Sequence, residues 1–356
     1  MTAAPDGPGT RYTRRADTEL RKILDEVKAS SDLPPWREFL WPAVQSFAAG
    51  GKRLRPALMV MACGGYAGEV PRGVWRCAAA AELFHTFALI HDDIIDGSAR
   101  RRGRPSMSVR LQTLMPEETE RRRRSEELAV LVGDVLHALA VRTFVSAGLP
   151  VERLSRALDL LSGAAVATGM GAAAEFVLRN DGMIPAEAAL LELYDRKTGI
   201  YSFTCPLQVG AVLGDAPPGD LPVLARVGCE LGRAFQIQDD LDDLETYLEG
   251  EVPSLQPREM RLMLPVACAA ARADAEQREW LEHTTRSSSL TGEVRAQIKR
   301  ILGATGATDE TRRAMRSCLR RGEEAAADLC MAACMRSEIL AFCRGVIDPD
   351  GAGKRR

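Results

Sequence analysis

The chain has 356 residues, 46% of them hydrophobic and 27% charged, which excludes a wholly disordered protein. Its 47 basic and 49 acidic residues give a net charge of −2, which argues against a nucleic-acid binder because such proteins need a broad basic surface. No stretch of about 18 uncharged apolar residues is present, and the N-terminus lacks an apolar core, so we expect neither membrane insertion nor a signal peptide.

Helix-forming residues dominate the whole chain, and alternating β-branched runs are nearly absent. Breaks fall where Gly, Pro and Asp collect. The pattern predicts an all-α protein, with helices or helix pairs over 17–30, 36–49, 55–66, 73–97, 126–147, 150–178, 186–214, 221–249, 258–283, 290–303 and 308–345.

Two features of this pattern have plain interpretations. The segment 116–127 places four arginines between glutamates, which is typical of a solvated helix or loop; a phosphate or nucleic-acid patch is the alternative. The nine scattered cysteines favour reduced thiols in a cytoplasmic protein. We expect Cys330 and Cys334, four residues apart in an alanine-rich stretch, to be buried as small hydrophobic residues.

Two aspartate clusters carry the chemistry. The segments 89–96 and 235–243 each read as an apolar helix that ends in D-D-x-x-D. The aspartates are Asp92, Asp93 and Asp96 in the first motif, and Asp239, Asp240 and Asp243 in the second. The outer carboxylates of each motif share a helix face, and such like charges are unfavourable without a cation. One cluster alone is typical of a solvated helix end, but two favour a hard cation, and we predict several Mg²⁺ ions around one polyphosphate.

Basic segments flank the aspartates and suit an anionic substrate. They are Gly50–Pro56 (GGKRLRP), Arg100–Pro105 (RRRGRP) and Lys197–Gly199 (KTG). Arginine matches phosphate oxygens bidentately, and lysine acts as a point charge. Any one of them is typical of surface charge, whereas their order around the aspartates indicates phosphate binding.

With these motifs, the sequence resembles the trans-isoprenyl diphosphate synthases of the polyprenyl synthetase family over residues 17–270. Further shared motifs are E-x-x-H before the first aspartates and the Gly133-Asp134 pair. The resemblance implies an isoprenoid synthase-type bundle of antiparallel helices around a deep central cavity, three Mg²⁺ ions per active site and a homodimer. We therefore expect a single domain over 17–346, with disordered tails at 1–16 and 347–356.

The resemblance also implies a role for each matched residue. The six motif aspartates would bind Mg²⁺, the second motif completing the cluster from the opposite wall. Isopentenyl diphosphate would be held by Lys52, Arg55, His85 and Arg102. The allylic diphosphate would contact Arg101 and Lys197, while Thr198 and Gln236 would line the reacting centre. Ionisation of the allylic diphosphate, attack by isopentenyl diphosphate and loss of a proton would follow, and His91 would orient neighbouring groups rather than bind metal.

Residues just before the first motif are expected to set product length. Phe87 lies five residues before Asp92, and the small Ala88 lies four before. In the family this arrangement resembles geranylgeranyl diphosphate synthases, whereas a second aromatic would favour the farnesyl product. Phe84, one turn deeper, is positioned to narrow the cavity, so farnesyl diphosphate is the second expectation.

The sequence departs from the family pattern in two places. Where the family carries lysines after the second motif, this chain has Glu251 and Arg261, with Met263 at a Thr position; Arg258 and Arg261 are candidates to compensate. The family's G-Q-x-x-D appears as 171–175 (GAAAE), without its Gln. A class I terpene cyclase and a low-activity regulatory subunit of a heteromeric synthase therefore remain alternatives.

Overall fold

A computed structural model of the chain describes residues 9–30, 33–115, 120–250, 257–287 and 291–347. In these ranges the chain forms sixteen α-helices, two π-helical segments and one two-stranded ribbon. The predicted all-α class is confirmed. Contacts divide the chain into two compact units, Met1–Leu158 with Gly210–Asp215, and Asp159–Val209 with Ala216–Arg356. The single domain expected from the sequence stays a prediction.

The first unit is built around α4, which packs against α1, α3 and α6. Its elements are α1 (Thr10–Ser30), a π-helix (Trp36–Leu40), α2 (Trp41–Ala48), α3 (Leu54–Ala67), α4 (Arg72–Ile95), β1 (Arg100–Arg101), β2 (Arg104–Pro105), α5 (Met107–Gln112), α6 (Arg121–Val145) and the start of α7 (Val151–Asp181). The two strands form an antiparallel hairpin directly after the first aspartate motif. The fold thus places basic and acidic motifs in one unit.

The second unit is built around α10, which packs against α15 and the second π-helix. Its elements are the rest of α7, α8 (Glu187–Tyr194), a π-helix (Asp195–Thr204), most of α9 (Cys205–Leu213), α10 (Asp220–Glu249), α11 (Pro257–Met260), α12 (Leu264–Arg272), α13 (Ala275–Thr284), α14 (Gly292–Thr305), α15 (Ala307–Ala326) and α16 (Ala333–Ile347). This unit carries the second aspartate motif on α10 and the K-T-G motif on the π-helix.

Several boundaries differ from the sequence expectations. Helix α1 begins at Thr10, so residues 10–16 are helical rather than part of a tail, because Tyr12 and Ala16 are buried and Tyr12 stacks on Trp75. Cys330 and Cys334 are exposed rather than buried. The ends 1–8 and 348–356 and the start of the charged segment, 116–119, lie outside the described residues.

Helices α6 and α7 are long and apolar enough to cross a membrane, judged by length and composition alone. In α6, 44% of the most apolar window is buried inside the protein, and in α7 only 17% is. Core helices of soluble proteins satisfy the same length and composition criteria. The feature that needs an explanation is therefore the exposed apolar surface of α7.

Candidate active site

The first aspartate motif lies at the C-terminal end of α4, and Arg101 from β1 reaches back to it. The Arg101 guanidinium donates to Asp92 Oδ2 at 2.8 Å and, through Nε, to Asp93 Oδ1 at 2.7 Å. The Asp93 side chain is 1% exposed and that of Asp92 35% exposed. Burial raises the pKa of Asp93 to about 6, against the opposing attraction of Arg101. The structure therefore joins the predicted residues Asp92, Asp93 and Arg101 in one cluster.

His91 precedes the motif and packs between two elements. Its Nε2 lies 3.3 Å from the Val130 carbonyl oxygen and 3.7 Å from a carboxylate oxygen of Asp134. A Cβ at Gly133 would lie 2.5 Å from the same nitrogen, so only glycine leaves room for the imidazole. This packing explains why position 133 is a glycine, and it places Asp134 beside the His91 imidazole.

An aromatic wall lies on the N-terminal side of the motif, one and two turns before Asp92. The Phe84 and Phe87 rings meet edge to face, with centroids 5.4 Å apart. His137 of α6 packs on both rings, at 5.4 Å from Phe84 and 5.0 Å from Phe87. His137 was not predicted from the sequence, because a lone histidine in an apolar helix carries no motif. The small Ala88 adds no ring to this wall.

The G-G-K-R-L-R-P loop depends on glycine and on a buried arginine. Gly51 has a φ of +99°, and a Cβ there would lie 2.6 Å from the Arg102 guanidinium, which itself donates to the Gly50 carbonyl oxygen at 3.0 Å. Arg53 is 5% exposed and donates to Asp17 at 2.6 Å and Glu82 at 2.5 Å. Arg53 thus fixes the loop to α1 and α4.

The predicted residues for isopentenyl diphosphate lie around this loop. Lys52 is exposed and Arg55 half-buried. Burial lowers the pKa of His85 well below its ordinary value, and the positive charges of Arg55 and Arg102 lower it further. His85 is therefore neutral at physiological pH and can donate one hydrogen bond without adding charge.

A cavity of about 180 Å³ opens beside the same loop within the first unit. The residues that give it its chemical character are Gly50, Gly51, Arg101, Arg102, Arg104 and Arg110. None of the described residues that line it carries a carboxylate. Arg110 was not predicted from the sequence, because a single arginine in the short helix α5 belongs to no motif.

In the second unit, Asp240 is held by the protein itself. Its Oδ2 accepts hydrogen bonds from Tyr194 Oη and, at 2.8 Å, from the Leu264 backbone N–H, and its Oδ1 accepts one from Gln236 at 3.1 Å. Burial raises the pKa of Asp240 to about 7 despite these three donors. The Thr198 hydroxyl donates to Gln236 Oε1 at 2.8 Å and extends the chain of hydrogen bonds. The predicted residues Thr198, Gln236 and Asp240 therefore form one network.

Lys197 forms an ion pair with Glu175 of α7. Glu175 also accepts a hydrogen bond at 2.9 Å from Arg179, which is buried. Glu175 is the last residue of the segment 171–175 (GAAAE), where the family has G-Q-x-x-D. This chain therefore lacks the family's Gln but keeps an acidic residue that pairs with Lys197. The K-T-G lysine is thereby fixed in place on the π-helix.

The residues that replace the family's lysines divide into two groups. Arg261 is 3% exposed and donates to the Thr285 carbonyl oxygen at 2.8 Å, so its guanidinium binds backbone rather than facing a ligand. Met263 is buried, and Arg258 is exposed. Glu251 lies outside the described residues. The expectation that Arg261 compensates for a lost lysine is therefore not favoured by its position.

The carboxylates of the aspartate motifs suit an Mg²⁺ ion that is bound together with a phosphate-containing substrate. In the described part of the chain, no three His, Cys, Asp or Glu side chains form a cluster that could hold a metal by themselves. Mg²⁺ commonly takes one or two protein carboxylates and completes its shell with water and substrate phosphates. Asp93 Oδ2, buried without a hydrogen-bond partner, shows that the first motif has acceptor capacity left over. The carboxylates therefore fit an ion that arrives with its substrate.

The chain is similar in sequence to a known protein family and to known enzymes. The polyprenyl synthetase family model matches residues 38–302. The chain is 33% identical over 226 residues to a geranylgeranyl diphosphate synthase of Sulfolobus acidocaldarius. The aligned region covers 62% of this chain and 63% of that relative, so the chain spans less than two thirds of the relative's length. The chain is also 30% identical over 273 residues to a short chain isoprenyl diphosphate synthase of Methanothermobacter thermautotrophicus. This aligned region covers 76% of this chain and 77% of the relative.

A solved structure extends the likeness to the fold. A geranylgeranyl pyrophosphate synthase of Corynebacterium glutamicum, complexed with isoprenyl diphosphate and magnesium, matches with a TM-score of 0.83 at 23% identity. The match covers 95% of this chain and 99% of that one, so the two proteins share the all-α fold. The chain therefore belongs to the polyprenyl synthetase family, as its sequence motifs predict.

Proposed function

We propose that the protein condenses isopentenyl diphosphate with an allylic diphosphate, either dimethylallyl, geranyl or farnesyl diphosphate. The observation that carries the proposal is Arg101, which bonds Asp92 and Asp93 and also lines the arginine-rich cavity. Arg101 thus links the first aspartate motif, which suits a metal-bound diphosphate, to the arginine-lined cavity, which suits a second diphosphate without metal.

The residues present would divide the work of the reaction. Asp92 and Asp96, together with the unpaired Oδ2 of Asp93, would hold Mg²⁺ from the first motif. Asp239 and Asp243 would do so from the second motif, with three ions per site. Mg²⁺ supplies Lewis-acid stabilisation to the diphosphate as it leaves. Arg101 and Lys197 would bind the oxygens of the allylic diphosphate and balance their charge.

The remaining groups would position the second substrate and protect the cation. Lys52, Arg55, Arg102 and neutral His85 would hold isopentenyl diphosphate with its double bond toward the allylic carbon. Thr198 and Gln236 would line the reacting centre. The allylic carbon–oxygen bond would break first and leave an allylic cation and free diphosphate. The double bond of isopentenyl diphosphate would then form the new carbon–carbon bond to that cation, and a proton would leave to the departing diphosphate. The aromatic wall excludes water that would otherwise quench the cation.

We propose geranylgeranyl diphosphate as the main product. Phe87 contributes a ring at the fifth position before the motif, and Ala88 leaves the fourth position open. The edge-to-face packing of Phe84 on Phe87 supports the shorter farnesyl product as the second candidate, because it thickens the wall.

Two other functions are less well supported. A terpene cyclase ionises a single diphosphate and has no use for an arginine-lined cavity beside the G-G-K loop. A non-catalytic regulatory subunit would not need paired outer carboxylates, whose repulsion is unfavourable without metal.

Product analysis tests the function directly. The purified protein is incubated with Mg²⁺, isopentenyl diphosphate and each allylic diphosphate in turn, and products are identified by mass spectrometry. An elongated diphosphate is expected. A hydrocarbon formed from the allylic substrate alone would instead identify a cyclase, and turnover only after addition of a second protein would identify a regulatory subunit.

We also propose that the protein is a cytoplasmic homodimer. The exposed apolar side chains of α7 include Val166 at 62%, Met170 at 59% and Val177 at 64% exposure. A second copy of the chain would cover this face, as burial of apolar surface drives association. Reduced cysteines agree with a cytoplasmic location.

A further inference from the structure

The arginine-lined cavity holds more positive charge than the family motifs account for. Arg101 and Arg102 belong to the R-R-G-x-P motif, and Arg101 is neutralised by Asp92 and Asp93. Arg104 and Arg110 have no assigned role. Arg104 lies on β2, at the variable position of the motif, and Arg110 lies on α5, so the hairpin and the following helix bring both to one cavity.

Arg110 is anchored through only part of its guanidinium. Its Nε donates to the Pro105 carbonyl oxygen at 2.8 Å, and its Nη1 donates to the Ser46 hydroxyl at 2.7 Å. A guanidinium has five N–H donors in a fixed fork, so these two bonds fix its plane and leave further donors on a residue that lines the cavity.

The two arginines are not balanced by acidic partners. Among the described residues, no carboxylate forms an ion pair with Arg104 or Arg110, whereas the negative charge of Glu82 acts on the neighbouring Arg102. Burial lowers the pKa of Arg110, and repulsion from Arg104 lowers it further. Repulsion among guanidinium groups at one cavity is relieved when a multiply charged anion binds, since phosphate oxygens accept bidentate hydrogen bonds from arginine.

We propose that Arg104 and Arg110 are additional binding residues for the diphosphate group of isopentenyl diphosphate, beyond Lys52, Arg55, His85 and Arg102. The proposal rests on the proposed function for the identity of the substrate. The adjoining G-G-K loop supports this assignment, because Gly50 and Gly51 line the cavity together with the two arginines. The cavity would therefore hold the metal-free diphosphate by arginines from the hairpin and α5 as well as by the loop.

A purely mechanical role for Arg110 makes a different prediction. Its bonds to Pro105 and Ser46 also tie the hairpin to α2, so removing the side chain could act through the shape of the loop alone. Ser46→Ala removes one of these ties and leaves the positive charge in the cavity. If the charge binds substrate directly, Ser46→Ala should bind isopentenyl diphosphate nearly as tightly as the unaltered protein.

Calorimetric titration of the full-length protein with isopentenyl diphosphate, without metal or allylic substrate, measures this binding apart from turnover. Arg104→Gln and Arg110→Gln should each weaken the Kd by about 10-fold or more, because each loses charge-assisted hydrogen bonds. Arg100→Gln serves as the matched control, since Arg100 lies on the same hairpin but does not line the cavity. It should change the Kd less than about 2-fold.

Inorganic diphosphate is the second probe and separates the two proposals. If both probes bind the unaltered protein and weaken in the two arginine variants, the binding site is supported even when no allylic substrate is elongated. The proposal is overturned if the Kd is unchanged in Arg104→Gln and Arg110→Gln, if Ser46→Ala weakens binding as much as Arg110→Gln, or if the unaltered protein binds neither probe. Thermal unfolding of each variant identifies any loss of binding that is caused by misfolding. Arg110→Lys keeps the positive charge and should therefore bind more tightly than Arg110→Gln.

Discussion

The middle carboxylate of each aspartate motif is held by the protein, while the outer ones are more accessible. Asp93 is buried against Arg101, and Asp240 is buried against Tyr194, Gln236 and the Leu264 backbone. This division follows from helix geometry, because adjacent residues point about 100° apart and cannot share one face. The outer carboxylates are therefore the better placed to bind an ion.

The outer position of the second motif should be essential for turnover. Asp239→Ala removes a carboxylate that would stabilise the leaving diphosphate through metal, so kcat should fall by roughly 100-fold or more. Asp92→Ala should behave alike in the first motif. Asp242→Asn is the matched control, because Asp242 lies on the same helix but outside D-D-x-x-D and bonds Gln238. Normal activity in Asp239→Ala, measured with radiolabelled isopentenyl diphosphate, would refute the metal assignment.

The buried carboxyl of Asp240 should make stability depend on pH. Its pKa of about 7 lies above the ordinary value near 4, so between these values the folded protein binds more protons than the unfolded chain. Its contribution to stability is therefore fully present below pH 4 and is lost as the pH rises through 7. Asn keeps the shape of the side chain and removes the titration.

Thermal unfolding of the metal-free protein from pH 5 to 8 measures this effect. Relative to Asp240→Asn, the midpoint of the unaltered protein should fall as the pH rises. A constant difference between the two proteins across this range would show that Asp240 is already ionised when buried.

The aromatic wall should set the length of the product. Phe87→Ala removes a ring that packs on Phe84 and His137, so the growing tail could reach further and products longer than twenty carbons should form. Mass spectrometry of the extracted diphosphates gives the chain-length distribution. Phe39→Ala is the control, because Phe39 is 53% exposed and lies on another element. An unchanged distribution in Phe87→Ala would place the end of the cavity elsewhere.

At the scale of elements, two glycines of α10 bring this helix into contact with the second π-helix. A Cβ at Gly228 would lie 2.5 Å from Thr204, and one at Gly232 would meet the backbone of Gly199 in the K-T-G motif. Because side chains are absent at the crossing, Thr198 reaches Gln236 across it. The small residues therefore support both the packing and the hydrogen-bond network.

Gly232→Ala should disturb this crossing. The added methyl group forces α10 away from the π-helix, which should destabilise the protein by about 1–3 kcal/mol and lower kcat by separating Thr198 from Gln236. Gly169→Ala in α7 is the control, because a Cβ there meets no atom within 4 Å, and it should be neutral or stabilising. Equal stability of the two variants in denaturant titrations would contradict the close contact.

The long helices were predictable from sequence, and the short elements were not. Helix α10 has buried residues at helical spacing along its length. Each strand of the hairpin has only two residues and α5 has six, so neither element shows a measurable hydrophobic period. The missed residues Arg110 and His137 have the same explanation, because their positions at the cavity and the aromatic wall depend on tertiary neighbours. Asp92 and Thr198 could be predicted as site residues because several motifs together formed a specific pattern.

At the scale of the whole molecule, a net charge of −2 conceals a strong separation of charge. Arginines gather at one cavity of the first unit, and aspartates gather at the ends of apolar segments in both units. A summed charge cannot show this, since it contains no positions. The sequence predicted an anionic small-molecule substrate from the order of the motifs rather than from composition. The number of compact units depends on contacts between segments that are distant in sequence, and local sequence patterns do not reveal these contacts.

The exposed face of α7 should determine the oligomeric state. Val166 and Met170 lie four residues apart on one helix face, so Val166→Glu with Met170→Glu places two charges in the proposed contact and should convert a dimer to a monomer. Arg156→Glu changes charge at an exposed polar position of the same helix and should leave the dimer intact. Light scattering coupled to size exclusion gives the mass of each. A monomeric unaltered protein would refute the dimer, and co-sedimentation of that monomer with lipid vesicles would show that lipid covers the face instead.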